Sequence, residues 1–319
     1  MKFCIVGGGS LGLLLTAKYT LANIPVVLIT RTKDQAEIIR AHGLQLAEGK
    51  REHAANFACY SIVEVKENDL EFDLDWIFLM VKQHHINLSL GQDISTLMKE
   101  QTKLLCFQNG IGHEEKLSSW IPRDKIYLAI TTEAAKKNAA HSVVHTGKGI
   151  IWIGQESQKS EFFDKSEKKL MKSLSDAGFK PQMTNNMSSI IWNKLLINSV
   201  INPLTAILKV SNGELLSSEN WVQLMKNLLE EGKLVARAAG IKTDEQLWDQ
   251  LIEVCQKTSN NSSSMLQDIL EGRETEIDRI NGSLIRLASE YKIEIPTHQV
   301  VYNMVKGVTK LKSVGQTFS

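Results

Sequence analysis

Two things are scarce in this chain, cysteine and long apolar runs, and each scarcity excludes a class of protein. The four cysteines are scattered along 319 residues without a CxxC pair, which predicts neither a metal site nor a disulfide framework. No uninterrupted apolar stretch approaches membrane-spanning length. Gly7 also interrupts the first apolar run too early for a signal sequence. We therefore expect a reduced, cytoplasmic setting and no membrane partner.

The chain also has no excess of either charge. Its 37 Lys and Arg residues balance 36 Asp and Glu residues, for a net charge of +1, so we expect no nucleic-acid partner. A GxSxG nucleophile elbow is missing, which argues against a serine hydrolase. The composition, 43% hydrophobic and 23% charged, is that of an ordinary globular enzyme. Its length favours two domains.

The histidines do not predict a metal site. His84 and His85 are adjacent, whereas His141 and His145 lie on a strand-like segment where an i, i+4 pair does not converge. Neither a cysteine nor a carboxylate completes a ligand set near them. We therefore expect no bound metal.

A glycine-rich turn near the start of the chain is its most informative motif. An apolar strand-like run ends in Gly7-Gly8-Gly9-Ser10-Leu11-Gly12, and an apolar helical pattern follows. In a dinucleotide-binding turn the three fingerprint glycines permit the tight turn, the approach of the backbone to the pyrophosphate, and close packing of helix on strand. The helix N-terminus then faces the phosphate charge. The alternative is a plain glycine-rich loop of an unrelated α/β protein.

The end of the second predicted strand indicates which dinucleotide is bound. An NAD site usually places an acid there to bind the ribose 2′-hydroxyl. This chain has Arg31 at that place and no acid before Asp34. A guanidinium suits a 2′-phosphate because it is a permanently charged, planar donor. The pattern favours NADP(H) over NAD(H), unless Arg31 is simply a solvated loop residue.

The pattern of elements changes near residue 185. Before it, strand-like and helix-like segments alternate, as a parallel sheet requires, and 142–145 with 149–154 are predicted to form a hairpin. After it we predict helices over 188–202, 220–239, 245–257, 272–291 and 297–310, with Pro203 and Pro296 beside helix ends. We predict a nucleotide-binding α/β domain over 1–185 and an all-helical domain over 186–319. In such an arrangement the substrate binds beside the nicotinamide.

The helical half opens with a polar stripe on an apolar segment. Lys194, Asn198 and Asn202 follow at i, i+4 and i+8, so a helix places them on one face. Polar groups on a mostly buried helix are costly unless they face a polar cavity. The stripe therefore indicates a polar substrate, the alternative being a solvated face.

Further candidates lie in short polar segments. Lys82-Gln83 and Gln108-Asn109 each follow a strand, at the edge of the sheet where ligands bind. The run 258–265 contains more polar residues than one helix cap needs, so part of it is a candidate ligand donor. The acidic residues of 274–279 fall within a predicted helix, where a solvated face is the usual explanation.

Taken together, these motifs resemble the ketopantoate reductase (2-dehydropantoate 2-reductase) family over nearly the whole chain. The matching segments are GGGSLG, Val81-Lys82-Gln83, Gln108-Asn109-Gly110, Asn193-Lys194 with Asn198, Asn202-Pro203-Leu204-Thr205-Ala206, Asn212-Gly213-Glu214-Leu215, Ser263-Ser264-Met265-Leu266-Gln267-Asp268 and Thr275-Glu276-Ile277-Asp278. The resemblance implies a Rossmann-type domain followed by a helical domain like the C-terminal domain of 6-phosphogluconate dehydrogenase. It also implies NADPH-dependent reduction of ketopantoate to (R)-pantoate, in the biosynthesis of pantothenate and coenzyme A.

The resemblance assigns roles residue by residue. Lys194 matches the catalytic general acid, and Glu276 matches the glutamate that assists the substrate hydroxyl. Cofactor positions are Gly7, Gly8, Gly9, Ser10, Leu11, Gly12, Arg31, Lys82, Gln83 and Asn109. Substrate positions are Lys194, Asn198, Asn202, Asn212, Asn261, Ser264 and Glu276.

Other functions stay open at this point. A related NADP-dependent 2-keto-acid or hydroxyacid reductase would share the two-domain plan, and a non-catalytic NADP(H) sensor would share the glycine motif. A sensor would not need Lys194 and Glu276 together. The sequence is also compatible with a homodimer.

Overall fold

The computed structural model describes residues 1–49, 51–55, 57–155 and 164–315. The described chain forms two compact units. The first comprises residues 1–108 and 112–187, and the second comprises 109–111 together with the chain from 188 onward. No helix within these described ranges is both long enough and apolar enough to span a bilayer.

The first unit is built on two sheets. Its strands are β1 (Phe3–Val6), β2 (Val26–Thr30), β3 (Leu44–Glu48), β4 (Arg51–Ala55), β5 (Ala58–Ser61), β6 (Trp76–Leu79), β7 (Lys103–Cys106), β8 (Ile126–Thr131), β9 (Ala134–Ala139), β10 (Ser142–Gly147), β11 (Ile151–Gly154) and β12 (Pro181–Met183). Eight of them pair in the order β12-β11-β8-β7-β6-β1-β2-β5, and four in the order β4-β3-β10-β9. In the larger sheet all neighbouring pairs are parallel except β11 with β8.

Helices connect and cover these strands. They are α1 (Ser10–Leu21), α2 (Lys33–His42), α3 (Ile62–Glu67), α4 (Leu88–Leu97), α5 (His113–Leu117) and α6 (Lys165–Asp176). α1 is apolar on nearly all sides because it packs on β1 and β2 of the larger sheet and on all four strands of the smaller one. Its Lys18 is accommodated by an ion pair with Glu48 on β3.

The second unit contains helices and connecting loops, and no strand occurs among its described residues. Its helices are α7 (Met187–Leu208), α8 (Glu219–Ala238), α9 (Leu247–Lys257), α10 (Ser264–Leu270), α11 (Asn281–Glu290) and α12 (Pro296–Gly315). They enclose an apolar core of their own, against which Ile111 also packs. The predicted fold class, a parallel-sheet α/β region followed by a helical region, is confirmed.

Three predictions about the secondary structure are wrong. The predicted hairpin does not exist, because β10 pairs with β9 and β3 whereas β11 pairs with β8 and β12 in the other sheet. The predicted helix over 272–291 begins only at Asn281, so Glu274 and Glu276 lie in an irregular segment. Finally, Pro203 lies inside α7 and not beside its end.

The interior proline of α7 is compensated by a side chain from α11. Pro203 has no N–H to donate to the carbonyl oxygen of Ser199, four residues earlier. The side-chain amide of Asn281 donates to that oxygen instead, at 2.9 Å, and Asn281 is fully buried. The helix therefore continues through the proline without an unsatisfied carbonyl. This bond also ties α11 to the helix that carries the polar stripe.

Candidate active site

The glycine turn has the geometry that the fingerprint requires. Gly7 adopts a φ of +123°, and a Cβ there would lie 2.9 Å from the backbone of Met80. A Cβ on Gly12 would lie 2.0 Å from the carbonyl oxygen of Gly7, so glycine is needed for α1 to start this close to β1. A Cβ on Gly9 would meet nothing within 4 Å. The chain itself therefore leaves the space beside Gly9 open, and a dinucleotide pyrophosphate fits there.

Two side chains outside the motif hold the glycine turn. The Gln35 amide donates to the Gly8 carbonyl oxygen at 2.9 Å, and the Lys137 ammonium donates to the same oxygen at 3.0 Å. The backbone N–H of Lys137 also donates to the Ser10 hydroxyl oxygen, at 3.1 Å. The sequence analysis missed both residues. Lys137 lies on β9, whose Ala-Ala-Lys-Lys-Asn-Ala sequence carries little strand propensity.

The other cofactor candidates of the first unit lie just after strands of the larger sheet. Arg31 follows β2 and is exposed, and its guanidinium is 3.4 Å from Nε2 of His85. Lys82 and Gln83 follow β6, and Gln83 is buried. Carboxyl ends of parallel strands are where such folds bind their ligands. The positions are consistent with the predicted roles of these residues, which stay predictions.

The polar stripe of α7 has the predicted composition and lies within the second unit. Asn202 is buried, whereas Lys194 and Asn198 are partly buried. Within the part of the chain that the structure describes, no hydrogen bond engages the side-chain amide of Asn198 or of Asn202. Amides that are removed from water need hydrogen-bond partners, so the buried Asn202 and the partly buried Asn198 are suited to bind a polar ligand.

For Glu276, the helical pattern of 274–279 alone suggested a solvated face, and that interpretation is wrong; the site role that the resemblance gives Glu276 stays a prediction. Glu276 is only 8% exposed, whereas Glu274 is exposed. One carboxylate oxygen, Oε2, accepts a hydrogen bond from the side-chain amide of Asn109 at 3.2 Å. The segment bends into the core because Ile277 and Ile280 are buried there on either side of a turn.

Lys194 and Glu276 form an electrostatic pair in this unit. Burial lowers the pKa of the Lys194 ammonium to about 8, and the nearby Glu276 carboxylate opposes that change by raising it. The unperturbed value is about 10.4. The geometry therefore supplies a lysine that is mostly protonated at neutral pH and releases its proton readily, beside a carboxylate held by Asn109.

The remaining substrate candidates form a second group. The backbone N–H of Asn212 donates to the carbonyl oxygen of Asn261 at 3.0 Å, and its side-chain amide donates to the Thr258 hydroxyl at 2.8 Å. The Asn212 Oδ1 atom is buried and has no hydrogen-bond partner. Asn261 and Ser264 are exposed, and the cap of α10 is Ser263. In the described residues no hydrogen bond links this group to Lys194 or Glu276.

Family models match both units of the chain. The model "Ketopantoate reductase PanE/ApbA" matches residues 3–158, and "Ketopantoate reductase PanE/ApbA C terminal" matches residues 186–309. A 2-dehydropantoate 2-reductase of Bacillus subtilis is 32% identical over 313 residues, which cover 97% of this chain and 98% of that protein. One of Pyrococcus horikoshii is 31% identical and covers 98% of both chains.

A solved structure extends the likeness to the fold. The ternary structure of D-mandelate dehydrogenase with NADH and anilino(oxo)acetate superposes with a TM-score of 0.86 at 27% identity, covering 97% of this chain and 99% of that one. The fold and the relatives together identify this chain as an oxidoreductase. The chain belongs to the ketopantoate reductase family.

Proposed function

We propose that this protein reduces 2-dehydropantoate to (R)-pantoate with NADPH. Full-length relatives at about 30% identity bear the name 2-dehydropantoate 2-reductase, which favours this substrate over that of a related 2-keto-acid reductase. The single observation that carries the proposal is the pairing of the partly buried Lys194 with the buried Glu276, whose carboxylate also accepts a hydrogen bond from Asn109. A protein that only sensed NADP(H) would have no use for a partly buried lysine of lowered pKa.

The cofactor is a nicotinamide dinucleotide, and residues 7–12 are the part of the first unit that fits its pyrophosphate. When bound, the reduced nicotinamide supplies the hydride. We infer that Arg31 binds the 2′-phosphate of NADPH, and that Lys82, Gln83 and Asn109 bind toward the nicotinamide end. Cofactor binding and substrate binding would then divide between residues 1–185 and 186–319. Asn109 belongs to the first of these ranges but to the second compact unit.

Lys194 is the proposed general acid. As a ketone is reduced, negative charge develops on its oxygen, and a protonated lysine stabilises that charge and donates the proton. Glu276 accepts a hydrogen bond from the substrate hydroxyl in this proposal. The remaining residues orient the carboxylate and hydroxyl groups, and this positioning itself contributes to the rate. They are Asn198, Asn202, Asn212, Asn261 and Ser264.

The direct test is the oxidation of NADPH by a panel of 2-keto acids. The loss of nicotinamide absorbance measures the rate. We expect the highest kcat/KM with ketopantoate. A higher value with another 2-keto acid would keep the reaction class and reject the substrate. Tight NADPH binding with no turnover of any ketone would reject the enzyme and favour a sensor.

The pH dependence follows from the pKa of Lys194. Reduction requires the protonated form, so kcat/KM should be nearly constant well below pH 8 and fall about tenfold per pH unit well above it. Oxidation of pantoate requires the neutral form, so its rate should rise toward pH 8. A reduction rate that stays constant to pH 10 would contradict the role of Lys194.

Arg31→Ala should weaken NADPH binding and leave NADH binding almost unchanged. One charge-assisted contact to a phosphate contributes roughly 1.5–3 kcal/mol, so the NADPH affinity should fall about 10- to 100-fold. Titration of nicotinamide fluorescence measures both affinities. Equal losses for the two cofactors would reject the 2′-phosphate assignment.

Glu276→Ala should raise KM for ketopantoate and lower kcat, because one hydrogen bond would serve both the ground state and the transition state. We expect a loss of about 10- to 100-fold in kcat/KM. Glu276→Gln should also move the alkaline fall of the rate to lower pH, since the carboxylate raises the pKa of Lys194. Glu274→Ala is the matched control, because Glu274 is exposed. Near-wild-type kinetics in both alanine variants would remove Glu276 from the site.

A cytoplasmic location and a homodimer stay predictions. The buried thiols, Cys4 and Cys106 among them, are unpaired and suit a reducing compartment. Light scattering would measure the oligomeric state.

A further inference from the structure

We propose that Lys137 is a cofactor-binding residue that brings a positive charge to the pyrophosphate site of the glycine turn. The inference rests on the proposed function, since it needs a bound dinucleotide. It adds a residue from the smaller sheet to a site that the motif alone places between β1 and α1.

The first argument is that Lys137 contacts the turn twice. Its ammonium donates to the carbonyl oxygen of Gly8, and its backbone N–H donates to the hydroxyl oxygen of Ser10. Because the Ser10 oxygen accepts this bond, its O–H can be directed at a ligand. Both contacts are on residues of the fingerprint, beside the space that Gly9 leaves open.

The second argument is that a purely structural role would be redundant. Gln35 already donates to the Gly8 carbonyl oxygen, and its amide also donates to the carbonyl oxygen of Ala140. The turn is therefore held without a cation. An ammonium near the N-terminus of α1 is electrostatically unfavourable for the helix itself, since that end carries partial positive charge. The negative charge of a bound pyrophosphate would attract the ammonium and compensate this unfavourable interaction.

The third argument is the local shape of β9. Its pairing with β10 is irregular, since Lys137 pairs with Val143 and Ala139 with Ser142, which leaves Asn138 as an extra residue. Such bulges bend a strand and redirect side chains, often beside active sites. Lys136 is exposed, whereas Lys137 is partly buried against the glycine turn. Neighbouring lysines of one strand thus have different environments.

The test compares Lys137→Met with Lys136→Met by calorimetric titration of NADPH and NADH at several salt concentrations. Lys137→Met should lower the affinity for both cofactors by about tenfold or more. The two losses should be equal, because both cofactors contain the pyrophosphate. Its NADPH affinity should also depend less on salt than that of the wild type. Lys136→Met should bind both cofactors like the wild type. Binding of 2′-AMP, which has no pyrophosphate, should be unchanged in Lys137→Met.

Two results would overturn the inference. One is wild-type affinity of Lys137→Met for both cofactors. The other is weaker binding that keeps the wild-type salt dependence and comes with a lower melting temperature of the cofactor-free protein, which would assign Lys137 to holding the turn. Failure of the wild type to bind either dinucleotide would instead reject the proposed function.

Discussion

Lys194→Ala should lower kcat for ketopantoate reduction by at least about 100-fold, the range expected when a general acid is removed. The lysine is the group of the second unit whose pKa, at about 8, is suited to donate a proton near neutral pH. NADPH affinity should stay close to that of the wild type, because the fingerprint residues belong to the first unit. Steady-state kinetics and a cofactor titration measure the two quantities.

Lys194→Arg is the informative companion of this variant. A guanidinium keeps the positive charge but does not release its proton at any pH used for an assay. If proton donation dominates, the arginine variant should be nearly as slow as the alanine variant. If charge stabilisation dominates, it should recover much of the rate. A wild-type kcat in Lys194→Ala would reject the catalytic role of Lys194.

Gly9→Val should abolish measurable dinucleotide binding without unfolding the protein. The backbone of Gly9 has a φ of −82°, which any residue adopts, and its Cβ position is clear of the chain. The branched side chain would instead occupy the space into which the pyrophosphate fits. Because several hydrogen bonds to charged oxygens would be lost, we expect affinity to fall by more than about 100-fold.

Gly12→Ala provides the contrast for this prediction. Its Cβ would clash with the Gly7 carbonyl oxygen, so α1 would have to shift away from β1. This variant should lose thermal stability as well as cofactor binding. Thermal melting of both cofactor-free variants separates the two effects. Unchanged NADPH affinity in Gly9→Val would contradict the fingerprint interpretation.

Local sequence patterns predicted the fold class well because its strongest elements carry their own signals. The strand before Gly7 is fully buried and apolar, and the fingerprint glycines are needed for backbone reasons that the sequence alone expresses. The i, i+4, i+8 stripe of α7 was likewise visible, since helix periodicity is local. These predictions depended only on residues that are close in the chain.

Features that depend on distant partners were not predictable in this way. β9 is a strand because it pairs with β10, whatever the propensity of its alanines and lysines. Pro203 continues a helix because Asn281, far along the chain, satisfies the carbonyl that it leaves free. Glu276 is buried beside Ile277 and accepts a hydrogen bond from Asn109, whereas composition alone suggested a solvated acid. Family resemblance identified Glu276 where periodicity did not.

The assignment of residues 109–111 to the helical unit has a consequence for how the protein is made. Ile111 packs against a core whose helices are all translated later, and Asn109 meets a glutamate 167 positions further on. The helical unit therefore cannot be completed from its own contiguous stretch of chain. A fragment beginning at Ser188 would lack part of its core and the amide partner of Glu276. During synthesis, residues 109–111 can reach their native environment only after the C-terminal half has been translated.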